Sequence, residues 1–143
     1  MTSRERMIRT LNNKEPDKVP VDLGTNRSTG IMVSAYNRLK IHLGIKDGEN
    51  RVYDMKQMLA IVEESVLEKF EIDVLPSGQG IYHIQINPYP YKWKSWQLFD
   101  GTDVEIPSNY TPKEDRKENL TLLDENGDIV GLMPKGGYYF EKV

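Results

Sequence analysis

The sequence contains no cysteine. That excludes disulfides, thiolate metal sites and a cysteine nucleophile from this chain. It contains only two histidines, His42 and His83, and neither has a second histidine at metal-ligand spacing. His42 falls near the end of a helical stretch, where it complements the helix dipole, and both are read as structural. There is no basic excess: the net charge is −3 and the sequence pI about 5.5, so nucleic acid is not an expected partner. No apolar run approaches the roughly 20 residues that span a bilayer. The opening "MTSRERMIRTLNNKEPD" lacks the continuous apolar centre of a secretion signal. A cytoplasmic protein without a membrane partner is expected. Asn26, Asn109 and Asn119 head glycosylation sequons, which carry no weight without such a signal.

The remaining composition is that of a folded chain. Hydrophobic residues make up 38% and charged residues 29% of 143 positions, enough to bury a core. Thr2 and Glu5 have capping-box spacing, and Met7, Ile8 and Leu11 form one stripe, so a helix is expected over residues 2–12. Asn12, Asn13 and Pro16 stop it. Val19 to Leu23 reads as a short strand, with Pro20 confined to a strand start or edge. Ser28 or Thr29 is placed to cap a second helix whose apolar face is Ile31, Met32, Ala35, Tyr36, Leu39, His42 and Leu43, with Gly44 closing it. Val52, Tyr53 and Met55 look extended, and residues 58–62 are ambiguous. A third helix runs from about Glu63 to Phe70 with Val66, Leu67 and Phe70 inward. Ile72 to Leu75 reads as a buried strand ended by Pro76-Ser77-Gly78.

The second half changes character. Asp100-Gly101 within "WQLFDGTDVEIP" and Asn126-Gly127 within "LTLLDENGDIVGLM" are hairpin signals. "GGYYFEKV" supplies a final strand. Residues 1–80 therefore look like β/α units and residues 81–143 like antiparallel strands.

Several residues invite chemistry. "DENGD" at 124–128 has the opening of a calcium loop, but position 12 of that loop is Lys135 and the flanks are strands, so it is read as a turn. "GTNRSTG", residues 24–30, follows an expected strand and precedes a helix. Backbone N–H groups there suit an anion, and Arg27 adds a bidentate donor. Asp22 and Asp73 lie in or beside expected strands with no second acid positioned near either, which favours a lysine pairing over catalysis. Trp93, Trp96, Tyr89 and Tyr91 either line a ligand groove or pack across a sheet.

"TSRERMIRTLNNKEPDKVPVDLG" resembles the N-terminus of the uroporphyrinogen decarboxylase superfamily, closest to its divergent decarboxylase-like and corrinoid methyltransferase-like members. The resemblance continues through "YDMKQMLAIVEESVLEKFEIDVLPSG", "WQLFDGTDVEIP", "DENGDIV" and "MPKGGYYFE". It implies an α/β fold, the N-terminal part of a (β/α)8 TIM-type barrel with an antiparallel β-hairpin insertion. Residues 1–80 would be the first β/α units and 81–143 the insertion, together one incomplete domain, since a barrel takes about 250 residues. Asn26 and Arg27 would then contribute to a small-molecule substrate mouth. The family's arginine-rich segment after the first strand reads "GTNRSTG" here, and "VLPSGQG" lacks the family's aspartate, which argues against uroporphyrinogen itself. No cofactor is expected in this chain; zinc or a corrinoid partner is implied only for a full-length relative. A second chain completing the barrel, or self-association, is an expected partner. The rival expectation is a stand-alone small α+β binding or interaction module whose aromatic hairpins are its working surface.

Overall fold

The structure is a computed structural model and describes residues 1–75 and 92–142. The expected Pro76-Ser77-Gly78 strand end, His83, Tyr89 and Tyr91 lie outside the described residues. Helix α1 spans Ser3–Leu11. The Thr2 hydroxyl accepts the Glu5 N–H at 3.2 Å, and the Glu5 carboxylate accepts the Thr2 N–H at 2.9 Å. That capping box is the one the sequence specifies. The buried face is not. Arg6 is the buried residue of α1, while Ile8 and Leu11 are 47% and 75% exposed.

After α1 the chain passes through Val19 to Leu23 without forming a strand, and Val19 is 80% exposed. The Asp73 N–H donates to the Val21 carbonyl at 2.9 Å. This bond meets the Ile72 to Leu75 stretch, which is also not a strand. Helix α2 spans Val33–Leu43 and ends on Gly44, whose φ of 70° is the left-handed conformation a glycine adopts freely. Neither Ser28 nor Thr29 caps it. Its cap residue is Met32, and the Val33 N–H is taken by the Met58 carbonyl at 2.8 Å, a partner no local pattern reveals. Its buried residues are Val33, Ser34, Tyr36 and Lys40, whereas Ala35 and His42 are exposed. The packed face is thus rotated from the expected one.

Strands β1 (Val52–Asp54) and β2 (Leu59–Ala60) form a short hairpin, and α3 spans Glu64–Lys69. Of its expected inward residues, Val66 is buried but Phe70 is 42% exposed. Strands β3 (Trp93–Gln97) and β4 (Asp103–Pro107) pair in register around Asp100-Gly101. Strands β5 (Thr111–Glu114), β6 (Leu120–Leu123) and β7 (Ile129–Met133) make a meander, with Asn126-Gly127 in its second turn. Among the described residues, the expected final strand is reduced to a bridge between Leu132 and Glu141 beside β7.

Among the described residues the strand pairs are all antiparallel, in three sheets of two or three strands. This overturns the (β/α)8 expectation, because a barrel needs neighbouring parallel strands bonded along their length. The stretches taken as its first two strands share one backbone bond beside a proline that has no N–H to donate. The fold is a strand-rich α+β. An isolated parallel bridge, Arg51 with Glu105, ties the start of β1 to β4. One apolar cluster runs through both halves, from Val33, Tyr36 and Met58 to Ile106, Leu122 and Phe140. The Phe140 N–H donates to the Lys56 carbonyl at 2.7 Å and pins the last turn against the β1–β2 connection.

Candidate functional site

The loop at residues 24–30 is a tied structure. Gly24, at φ 85°, donates its N–H to the Thr29 carbonyl at 2.8 Å and closes the loop. Residues Arg27–Thr29 form a single 3-10 turn. Asn26 caps it, its Oδ1 accepting the Ser28 N–H at 2.8 Å. The Thr25 hydroxyl donates to Asp22 at 2.5 Å, so Asp22 braces the same loop. The Arg27 guanidinium forms an ion pair with Asp54, whose side chain is 2% exposed. Asp54 Oδ1 in turn accepts the Lys56 and Gln57 N–H groups at 2.9 Å each and shapes the β1–β2 turn. Beside this pair, a crevice of about 40 Å³ is lined by Tyr110, Lys56 and Leu122, with room for little more than water. Burial, then the Asp54 charge, raises the Tyr110 phenol above its ordinary value.

Asp73 is the other acid singled out in the sequence. Its partner is an arginine rather than a lysine. Arg6 Nη1 donates to Asp73 Oδ1, while Arg6 Nε and Nη2 grip Asp17 at 2.7 and 2.9 Å. Asp73 Oδ2 accepts the Val21 N–H at 3.0 Å. The Arg6 hydrogen bonds hold Asp17 well below the usual carboxylate range. Burial works against ionisation of Asp73, yet the Val21 N–H, Ser3 and Arg6 together keep it low. This fork locks α1 onto two loops.

Open concavities flank the β3–β4 hairpin. Trp96 and Gln97, near the end of β3, line two adjoining concavities. One, of about 710 Å³, runs between the Gly48–Asn50 turn and β3–β4, past Glu49, Asn50, Ser95, Asp103 and Glu105. The other, of about 520 Å³, runs from Leu98 and Phe99 to Glu114, Glu118, Leu120 and Lys135. At its far end the Phe99 ring meets Tyr138 edge-on at 5.3 Å between centroids. Trp93 points to the other side of β3, where the Arg51 guanidinium lies 5.5 Å from its ring centre.

No family model, curated protein or solved structure matches the chain.

The site is therefore described by its own geometry. The structure does not gather Asn26, Arg27 and Asp22 with Trp96; they brace a separate loop. His42 is exposed. Among the described residues no three histidine or carboxylate side chains stand close enough to hold a metal ion. No helix of the described residues is long and apolar enough to cross a membrane. Glu49 and Glu114, on the groove rim, were not found by sequence reading. They lie more than 60 positions apart, and no local spacing signals that they share a groove.

Proposed function

We propose that the chain is a small binding module that takes an extended ligand along the Trp96 groove. The observation that carries this reading is the sharing of Trp96 by two adjoining concavities of about 710 and 520 Å³. Each lies in the range of ligand clefts, and together their linings mix aromatic and aliphatic side chains with polar ones. The loop polar groups of the first half support the reading from the other side. Asp22, Asn26, Arg27 and Asp73 are engaged by the chain's own groups. The tryptophan supplies a large rigid surface at little entropic cost, as recognition sites commonly use.

The test is selection of a displayed random peptide library against the folded chain, with Trp96→Ala as the counter-target. Peptides that bind the wild type and lose at least tenfold in affinity for the variant are expected. Unchanged far-UV circular dichroism shows that the variant folds; Phe99→Ser supplies a second groove variant if it does not. Selected peptides that bind wild type, Trp96→Ala and Phe99→Ser alike overturn the reading.

A further inference from the structure

We infer that the Trp96 groove receives an arginine-bearing segment of a partner protein; this rests on the binding reading above and adds the class of its ligand. Trp96 lines both concavities, and Leu98, Phe99 and Leu120 add apolar surface to the second. The rim is acidic. Among the described residues, five carboxylates line the two concavities, with Lys135 the one cationic side chain there. Glu118 is engaged by Lys135, and Glu105 by Arg51 at 2.6 Å. Glu49 and Glu114 make no ion pair among the described residues. A trough that joins aromatic surface to uncompensated carboxylates is complementary to a cation with a flat, weakly hydrated face. That describes a guanidinium better than an ammonium.

The hairpin already does this with its own chain. Arg51 lies over the Trp93 ring and donates to Glu105, a residue that also lines the larger concavity. At the hairpin turn, Arg38 donates to Asp100 at 3.2 Å. The same strand therefore presents two tryptophans beside carboxylates. Trp93 carries an internal arginine, and Trp96 lines both concavities. The two adjoining concavities favour an extended peptide over a single small cation, and the acidic rim repels phosphate-bearing polymers.

The experiment uses the full chain, isotope-labelled, titrated with a short peptide of alternating arginine and serine. An otherwise identical peptide with citrulline in place of arginine keeps the shape and removes the charge. Backbone amide shifts at Glu49, Trp96 and Gln97 are expected with the arginine peptide. Its affinity should exceed that of the citrulline peptide at least tenfold and fall as salt rises. The double variant Glu49→Gln, Glu114→Gln should weaken arginine-peptide binding several-fold with the melting temperature unchanged, since neither side chain braces the fold. Equal binding of both peptides at the same amides overturns the charge inference and leaves the groove reading standing. An arginine peptide that shifts no groove amide overturns the inference, while the library selection decides the groove reading independently.

Discussion

Tyr36→Phe removes one oxygen from the best-connected polar site of the core. The Tyr36 side chain is fully buried. Its hydroxyl donates to Glu63 Oε2 and accepts the Glu63 N–H at 3.0 Å. Lys40, also buried, donates to Glu63 Oε1 at 3.1 Å and to the Asp47 carbonyl at 2.9 Å, and lies 5.5 Å from the Tyr36 ring centre. The substitution leaves the ring in place, so the cavity contribution is small. It strands a buried N–H and takes one donor from a carboxylate. A neutral bond contributes about 1 kcal/mol and a charged one about 1.5–3 kcal/mol. Lys40 keeps part of the carboxylate satisfied, so the expected net loss is about 2–3 kcal/mol. For a domain of this size that lowers the melting temperature by roughly 6–12 °C. Urea unfolding followed by circular dichroism measures it, with an unchanged denaturant slope showing that the folded state is otherwise intact. A loss below about 0.5 kcal/mol would refute the account of α2 and α3 as joined through this network.

The same residue makes an alkaline prediction. Burial, and then the bond to Glu63, raises the Tyr36 phenol above its ordinary value. The folded chain keeps that proton where the unfolded chain, with a phenol near the ordinary value of about 10, has lost it. The contribution is therefore complete below about pH 10 and fades as pH rises toward the folded value. Wild-type stability should decline above about pH 10, and the part of that slope owed to Tyr36 should be missing in Tyr36→Phe.

Two further outcomes follow from the ion pairs. Arg27→Met leaves the Asp54 carboxylate buried without its guanidinium and should lower stability by about 1–3 kcal/mol in urea unfolding; an unchanged or raised stability would mean that Arg27 is available to a ligand after all. Asp17 and Asp73 ionise below the unfolded carboxylate value of about 3.9, so their contribution is present above it and lost as pH falls through the folded values. The melting temperature should fall below about pH 4, and Asp73→Asn should flatten that acid limb; an equally steep limb in the variant would place the acid sensitivity elsewhere.

Local signals carried much of the fold. The Thr2–Glu5 capping box, the Gly44 helix end and the two hairpin turns are properties of a few adjacent residues, and each forms where its chemistry requires. Asp124 accepts the Asn126 and Asp128 N–H groups at 2.9 Å each, which makes "DENGD" the turn it was read to be. What escaped was set by distant partners. The cap of α2 is the Met58 carbonyl, and the packed face of α2 follows the Glu63 network rather than the widest apolar stripe. β5 was missed because Thr111, Pro112, Lys113 and Glu114 carry no strand pattern, and β6 imposes the pairing. The opposite error produced the barrel. Val19 to Leu23 and Ile72 to Leu75 have strand-like composition, but composition does not supply a ladder of backbone partners. The groove was visible only in part, since Trp96 could be singled out while its rim is drawn from the Gly48 turn, β4 and the meander.

The buried arginine of α1 explains why the two halves differ in what they leave available. A helix held by an apolar stripe would put Ile8 and Leu11 inward. Here Arg6 takes that place, and its fork must meet Asp17 and Asp73 together or leave a charge stranded. Such a fork fixes orientation more strictly than apolar contact, because a guanidinium donates to its carboxylates in one plane. Asp22, Asn26 and Arg27 are bound into neighbouring loops by the same kind of bond. Recognition needs groups whose hydrogen-bonding and charge are not already matched from within. In the described chain those conditions meet at the β3–β4 hairpin, where Trp96 opens to a groove and Glu49 and Glu114 stand on its rim without a counter-ion among the described residues.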